Sequence, residues 1–295
     1  MTSTRLSYLA PLALYDTEKA FAYNYDRGPD VPPAEQTNLQ FVTHDDVPIY
    51  DARSLSETAL SFATYGFRFQ SHPSSLPTAF SGSKEEVQEY CDLMTRFVVL
   101  SVMLSPKIRI DYVLQARCNE VSSSEYKANI RGSRPGRDVV GPPIMNIHVD
   151  QTQNSGIGRI RRYLSPNEST KYLSGKYRSR IINVWRPINR PSQDCPLAFC
   201  AAHTVGKENL VPVDRYNPEF VLELYYLKYA ATQEWYWIKD QRPEEIAVFC
   251  QFDSQGIDLT CPHSAFLDPN APEGVGARES LEVRIIVFNA IEGAD

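Results

Sequence analysis

Residues 142–150 have the sequence PPIMNIHVD, in which polar side chains recur at every second position after Ile144. Successive side chains of a β-strand point to opposite faces, so Asn146, His148 and Asp150 would share one face of such a strand. An imidazole and a carboxylate on the same face can bind one metal ion. The stretch therefore predicts a β-strand that carries two metal ligands.

A third ligand has to come from elsewhere in the chain, and His263 is the leading candidate. Together with His148 and Asp150 it would complete the facial triad that is typical of non-haem Fe(II) oxygenases. This triad leaves coordination positions open for a co-substrate and O2. A His-x-Asp pair also occurs often by chance, so the motif alone is a weak signal. The other histidines are alternative third ligands at His44 and His203, and a weaker one at His72.

Short apolar segments separated by turn residues run through most of the chain. They predict strands at residues 41–53, 65–70, 108–114, 144–150, 180–188, 235–238, 246–253 and 281–289. A capping box at Ser83–Glu86, followed by apolar residues at helical spacing, predicts one helix that ends near residue 104. The pattern indicates a mainly β fold with flanking helices, either a sandwich or a jelly-roll barrel. We expect a single domain over residues 1–295, with residues 1–40 as an N-terminal extension that wraps the surface or lines the site entrance.

The charge and the cysteine usage exclude several classes of protein. A formal net charge of −6 argues against binding to nucleic acid or to an anionic membrane, because both require a basic surface. No apolar run reaches the length of a membrane span, and the N-terminus lacks the apolar core of a signal peptide. Six cysteines without a CxxC pair predict a reducing, cytoplasmic compartment.

The segment RESLEVR at residues 278–284 begins the last predicted strand. Alternation places Arg278, Ser280, Glu282 and Arg284 on one face of that strand. A guanidinium on this face can hold a carboxylate through two parallel hydrogen bonds. The distal carboxylate of a metal-chelating 2-oxo acid requires such an anchor. The alternative is that either arginine pairs with a neighbouring glutamate at a sheet edge.

Three residues are candidates for substrate binding. Trp185 and Arg186 are adjacent in a predicted strand, so only one of them can point into the barrel. Arg186 in the pocket would favour a carboxylate-bearing substrate, whereas Trp185 is also typical of core packing. Asn146 shares the face of His148 and either lines the pocket or is hydrogen-bonded in the core.

The segment after the predicted metal strand is basic. Residues 155–158 have the sequence SGIG and are followed by Arg159, Arg161 and Arg162. A flexible loop here could act as a lid that attracts an acidic substrate. A solvated charged face is the alternative interpretation.

Several motifs resemble those of a known family. They occur in the order NVWRP at residues 183–187, WYW at 235–237, PHSAF at 262–266 and RESLEVR at 278–284. Together they resemble the mostly fungal hydroxylase/desaturase family, which includes gibberellin desaturases and the cephamycin methoxylation component. The resemblance implies an oxygenase with a double-stranded β-helix (jelly-roll, cupin-like) core that uses Fe(II), 2-oxoglutarate as co-substrate and O2. It maps the iron ligands onto His148, Asp150 and His263, and the 2-oxoglutarate anchor onto Arg278 or Arg284.

The same resemblance implies oxidation of an unactivated C–H bond in a small molecule of secondary metabolism. Family members hydroxylate, desaturate or cyclise their substrates, and one branch forms aziridines from amino acids. Arg186 and Asn146 favour a carboxylic or amino acid as the substrate. Two alternatives remain: a non-catalytic jelly-roll accessory subunit that works with a partner enzyme, and a Zn(II) hydrolase with the same ligands. The sequence leaves the quaternary structure open, including a homo-oligomer.

Overall fold

The structure is a computed structural model that describes residues 1–25, 27–28, 30–55, 60–72, 84–97, 110–123 and 143–291. These residues form two β-sheets and several short helices, which are numbered below in chain order. No helix in these ranges is long and apolar enough to cross a bilayer.

One sheet has five strands. In spatial order they are β4 (Phe67–Ser71), β12 (Glu245–Asp253), β7 (Tyr177–Pro187), β14 (Glu279–Ala290) and β5 (Ile110–Ser123). All neighbours in this sheet are antiparallel, and β7 pairs with β14 along its whole length. Valine, isoleucine and aromatic residues recur in β7, β12 and β14, and most residues of these strands are buried, as expected for strands that are covered on both faces.

The second sheet has nine strands. In spatial order they are β1 (Thr2–Leu9), β3 (Phe41–Asp51), β11 (Trp235–Trp237), β8 (Leu197–Cys200), β13 (His263–Ala265), β6 (His148–Val149), β10 (Val221–Leu227), β9 (Leu210–Tyr216) and β2 (Ala20–Tyr23). Ser7 and Leu9 of β1 also form bridges to Asn146 and Lys228 on the far side of the sheet. The sheet therefore curls back on itself around a buried apolar cluster that includes Tyr8.

The chain passes between the two sheets in the manner of a double-stranded β-helix. Strands β5, β7, β12 and β14 supply one wall, and β6, β8, β11 and β13 supply the other. Trp185, Phe199 and Phe249 pack between these walls. The predicted jelly-roll core is thus confirmed, and its topology makes β6 and β13 direct neighbours.

The helices cover the sheets. They are α1 (Leu14–Thr17), α2 (Pro33–Gln36), α3 (Phe62–Tyr65), α4 (Lys84–Phe97), α5 (Gln153–Arg161) and α6 (Pro166–Tyr172), with 3-10 turns at Ala52–Ser54, Ala202–Thr204 and Lys207–Asn209. Tyr90 and Met94 of α4 pack against the outer face of the five-stranded sheet. The helix predicted here is confirmed over residues 84–97, whereas its cap at Ser83 and its continuation to residue 104 lie outside the described residues.

Two expectations about the N-terminal half change. The strand predicted over residues 144–150 contains only His148 and Val149, because Asn146 makes an isolated bridge and the chain bends at Asp150. Residues 1–40 supply β1 and β2 to the nine-stranded sheet, with Tyr8 of β1 only 1% exposed. This extension is therefore part of a sheet and its core.

Candidate metal centre

His148 and His263 face each other across the pair formed by β6 and β13. They occupy directly opposed positions in the two strands, and their ring centroids are 4.4 Å apart. Asp150 follows β6 at a bend. One potential ligand atom from each of the three residues lies within 4.8 Å of the others. The fold thus brings together the three ligands that the sequence predicts.

Both imidazoles are oriented by backbone carbonyls. Nδ1 of His148 lies 2.8 Å from the carbonyl oxygen of Asn146, and Nδ1 of His263 lies 3.2 Å from that of Cys261. A carbonyl oxygen can only accept a hydrogen bond, so each Nδ1 carries the proton and each Nε2 presents a lone pair. This tautomer is the one that a metal ligand requires.

The two carboxylate oxygens of Asp150 have different partners. Oδ2 accepts hydrogen bonds from Arg284 Nη2 at 2.6 Å and from Asn183 Nδ2 at 2.8 Å, while Oδ1 lies 3.4 Å from Nε2 of His148. The protein thus occupies one oxygen of Asp150 and leaves the other facing His148.

The protonation states suit a divalent metal ion. Burial opposes ionisation of the Asp150 carboxyl, but the charge of the Arg284 guanidinium outweighs it and holds the pKa well below its usual range. Burial and the neighbouring His148 lower the pKa of His263 to about 3. One ionised carboxylate and neutral imidazole at His263 form a donor set that fits Fe(II).

Asn183 and Glu282 complete a polar network beside Asp150. Glu282 Oε1 accepts from Asn183 Nδ2 at 2.8 Å, and it lies 3.4 Å from Arg284 Nη2. We did not predict a role for Asn183, which interrupts the apolar run of β7. A fully buried asparagine in such a strand needs hydrogen-bond partners, and this is the signal that could have revealed it.

The predicted face of β14 does point inward. Arg284 and Glu282 reach the metal centre, Ser280 is buried further along the same strand, and Arg278 is buried directly before the strand begins. Arg278 donates to the Cys195 carbonyl oxygen at 2.7 Å, and its guanidinium carbon lies 5.5 Å from the centre of a Trp185 ring. The two candidate anchors therefore differ, because only Arg284 is paired with a predicted metal ligand.

Arg186 is not part of the site, and the prediction that it binds substrate is wrong. It donates to the backbone carbonyls of His72 and Pro243 and lies over the Tyr90 ring of α4. The physical reason is strand alternation, which turns Arg186 to the outer face because Trp185 faces inward with Phe249.

Asn146 is committed to the curled edge of the nine-stranded sheet. Its Oδ1 accepts a hydrogen bond from Ser7 Oγ at 2.8 Å, and its carbonyl oxygen orients His148. Of its two expected roles, the structure favours the hydrogen-bonded one.

The basic segment after β6 is a helix, so the predicted flexible lid is wrong. Helix α5 starts with a capping box between Thr152 and Ser155. Its Gly156 lies against the Phe252 ring, where an added Cβ would be 2.2 Å from a ring carbon. Arg159 and Arg162 line a separate cavity of about 290 Å³ beside β10.

Comparison with known protein families identifies the family of the chain. A family model described as "Oxidoreductase/YMDC permease-like domain" matches residues 6–288. The chain belongs to this family. The match includes all three residues of the candidate metal centre, as well as Arg278 and Arg284.

Curated relatives of the chain come from fungi. A protein named Fe(II)/2-oxoglutarate-dependent dioxygenase nvfI, from Aspergillus novofumigatus, is 30% identical over 155 residues, covering 52% of this chain and 55% of the relative. Hydroxylase/desaturase poxK of Penicillium oxalicum is 30% identical over 196 residues, covering 56% and 58%. These names confirm the resemblance to fungal hydroxylases and desaturases. The chain spans little more than half the length of these curated relatives.

Solved structures share the fold over almost the whole chain. The iron and alpha-ketoglutarate-dependent endoperoxidase NvfI, in one of its conformations, matches with a TM-score of 0.81 and 23% identity, covering 99% of each chain. A variant of the same endoperoxidase matches with a TM-score of 0.82 over 99% of each chain, also at 23% identity. At this identity the likeness shows a common fold.

Proposed function

We propose that the protein is an Fe(II)- and 2-oxoglutarate-dependent oxygenase that oxidises a small molecule. The observation that carries the proposal is the convergence of His148, Asp150 and His263, whose ligand atoms lie within 4.8 Å of one another. Two imidazoles and one carboxylate are the ligand set of this enzyme class. The names of the fungal relatives support the same activity.

The three ligands and their neighbours would hold and orient the metal ion. Fe(II), when bound with 2-oxoglutarate and O2, supplies an oxidant strong enough to remove hydrogen from an unactivated C–H bond. Asn183 and Arg284 hold Oδ2 of Asp150, so Oδ1 would bind the ion. Burial of the two histidines excludes bulk water from one side of the centre, which protects the oxidising step.

We assign the anchor for the distal carboxylate of 2-oxoglutarate to Arg278, with Ser280 beside it. Arg284 is engaged by Asp150 and Glu282, so binding of a second carboxylate there would compete with the predicted metal ligand. Arg278 directly precedes β14, is 3% exposed and lies over the inward-facing Trp185 ring. A buried guanidinium gains most from a bidentate carboxylate partner.

The proposed substrate is a small organic molecule, and the proposed outcome is hydroxylation, desaturation or oxidative cyclisation. The resemblance to the hydroxylase/desaturase family also admits the aziridine-forming amino-acid branch, so oxidative cyclisation of an amino acid is one of the proposed outcomes. Because Arg186 lies outside the site, it gives no support for a carboxylate-bearing substrate. A cytoplasmic location and a homo-oligomeric state are likewise proposals.

Anaerobic titration with Fe(II) and 2-oxoglutarate tests the proposal. We expect the charge-transfer absorption of a chelated 2-oxo acid, and succinate formation after O2 is admitted. Both signals should be lost in His148→Ala and kept in His44→Ala, because His44 stacks on Tyr229 and belongs to no ligand set. Succinate formation by His148→Ala at the wild-type rate would reject the metal assignment.

A further inference from the structure

Gln251 occupies an irregular position in β12. The strand pairs Cys250 with Ile182 of β7 and then Phe252 with Ile181, so Gln251 has no partner in the ladder. Such a bulge redirects a side chain and is frequent next to functional sites. The Gln251 side chain is completely buried and faces the opposite sheet, which carries the metal ligands.

The side-chain amide of Gln251 forms hydrogen bonds next to two of the predicted ligands, Asp150 and His263. Its Oε1 accepts from the backbone N–H of Asp150 at 2.7 Å. Its Nε2 donates to the carbonyl oxygens of Cys261 and Cys250, each at 3.0 Å. Only one orientation of the amide satisfies these contacts, because the backbone N–H needs an acceptor and the carbonyls need donors.

The Cys261 carbonyl is the group that orients His263, since Nδ1 of that imidazole donates to it at 3.2 Å. A single amide therefore contacts the backbone of one predicted ligand and the hydrogen-bond acceptor of another. β6 and β13 pair with each other only at His148 and His263, although each also pairs with a second strand, β10 or β8. Gln251 adds a side-chain link from β12 that joins the Asp150 backbone to the Cys261 carbonyl.

We infer that Gln251 is a positioning residue that sets the separation and orientation of Asp150 and His263 for metal binding. The inference rests on the proposed function, and it deepens that function by naming a residue that links Asp150 to the carbonyl that orients His263. Residues in this supporting role typically change metal affinity by about ten- to a hundred-fold when they are replaced. Gln251→Met keeps the length of the side chain and removes all three hydrogen bonds.

Anaerobic titration of the full chain with Co(II), followed by its d–d absorption, tests this inference. We expect Gln251→Met to bind Co(II) about ten-fold or more weakly than the wild type and to show an altered absorption spectrum. The matched control is Gln241→Met. Gln241 is 1% exposed and donates to the Glu245 carbonyl oxygen at 2.9 Å, so its loss should lower stability without changing the Co(II) spectrum.

A second variant separates positioning from folding. Gln251→Glu keeps an acceptor for the Asp150 amide but places an oxygen against the Cys261 carbonyl, and we expect it too to weaken Co(II) binding and alter the spectrum. Wild-type affinity and spectrum in folded Gln251→Met would overturn the inference. Failure of both variants to fold, with Gln241→Met folded, would make Gln251 a core stabiliser and overturn it as well. Absence of Co(II) binding by the wild-type chain would instead reject the proposed function.

Discussion

Arg284 donates to Oδ2 of Asp150 over 2.6 Å, and the two side chains are 6% and 15% exposed. The guanidinium compensates the carboxylate in a buried setting and leaves Oδ1 to face His148. The pair therefore determines which oxygen of Asp150 is available to a metal ion. Because Arg284 already binds Asp150, a second carboxylate at Arg284 would compete with this pair.

Replacement of Arg284 by methionine should weaken metal binding and destabilise the protein. Loss of one partner from a buried ion pair costs about 3 kcal/mol of unfolding free energy, because the remaining charge is left uncompensated. We expect Co(II) affinity to fall about ten-fold or more. Urea denaturation and anaerobic Co(II) titration measure the two effects.

The control for this prediction is Arg178→Met. Arg178 pairs with the buried Asp253 away from the three ligands, so its loss should lower stability and leave Co(II) affinity unchanged. Equal Co(II) affinities in wild type and Arg284→Met would show that the ion pair has no influence on the metal centre.

Replacement of Arg278 by leucine should affect the co-substrate rather than the metal. We expect the KM for 2-oxoglutarate to rise about ten-fold or more, because a charge-assisted bidentate contact is lost, at a cost of about 1.5–3 kcal/mol. Co(II) affinity in the absence of 2-oxoglutarate should stay at the wild-type value. An unchanged KM in this variant, with a raised KM in Arg284→Lys, would transfer the anchor to Arg284.

Arg186→Met should reduce stability and leave catalysis intact. The variant leaves the carbonyls of His72 and Pro243 without their donor, which costs about 1–3 kcal/mol of unfolding free energy. The KM for 2-oxoglutarate and the rate of succinate formation should match those of the wild type. A raised KM without a loss of stability would return Arg186 to the active site.

The pair between Arg53 and Glu245 predicts an acid-dependent loss of stability. Burial raises the pKa of the Glu245 carboxyl, but hydrogen bonds from Arg53 and Arg242 outweigh it, so the pKa lies below its ordinary value of 4.5. A carboxyl with a depressed pKa stabilises the fold above the unfolded value and loses that contribution as the pH falls through the folded value. The Arg53 Nη1 to Glu245 Oε1 distance is 2.5 Å. The Arg53 side chain is 36% exposed, so screening by solvent limits the stabilisation that the pair provides.

Urea denaturation of wild type and Glu245→Gln across pH 7 to pH 3 measures this effect. We expect the wild type to be more stable by about 1 kcal/mol at pH 7, and the difference to disappear below the depressed pKa. In an Arg53→Met background, the Glu245→Gln change should cost less at pH 7. A stability difference that is independent of pH would contradict the prediction.

Local pattern was sufficient for part of the site. The two-residue period of a strand placed Arg278 and Arg284 on one face, and in the structure Arg278 lies over the inward-facing Trp185 while Arg284 pairs with Asp150. The His-x-Asp spacing and the PHSAF motif selected the three residues that meet in the fold. These successes share a cause, since each depends on residues that are close in sequence or on a family resemblance.

The sequence by itself determined the class of fold, the His-x-Asp pair and the common direction of Arg278 and Arg284, because side-chain alternation and apolar patterning are local properties. The choice of His263 among the possible third ligands came from the family resemblance. Only the tertiary structure decided that Trp185 faces inward and Arg186 outward, since a period of two separates the faces without saying which is buried. It alone brought Asn183 and Gln251 to Asp150, because these contacts join two strands of one sheet to the bend that follows a strand of the other. Their pairing depends on how the whole chain folds between the two sheets.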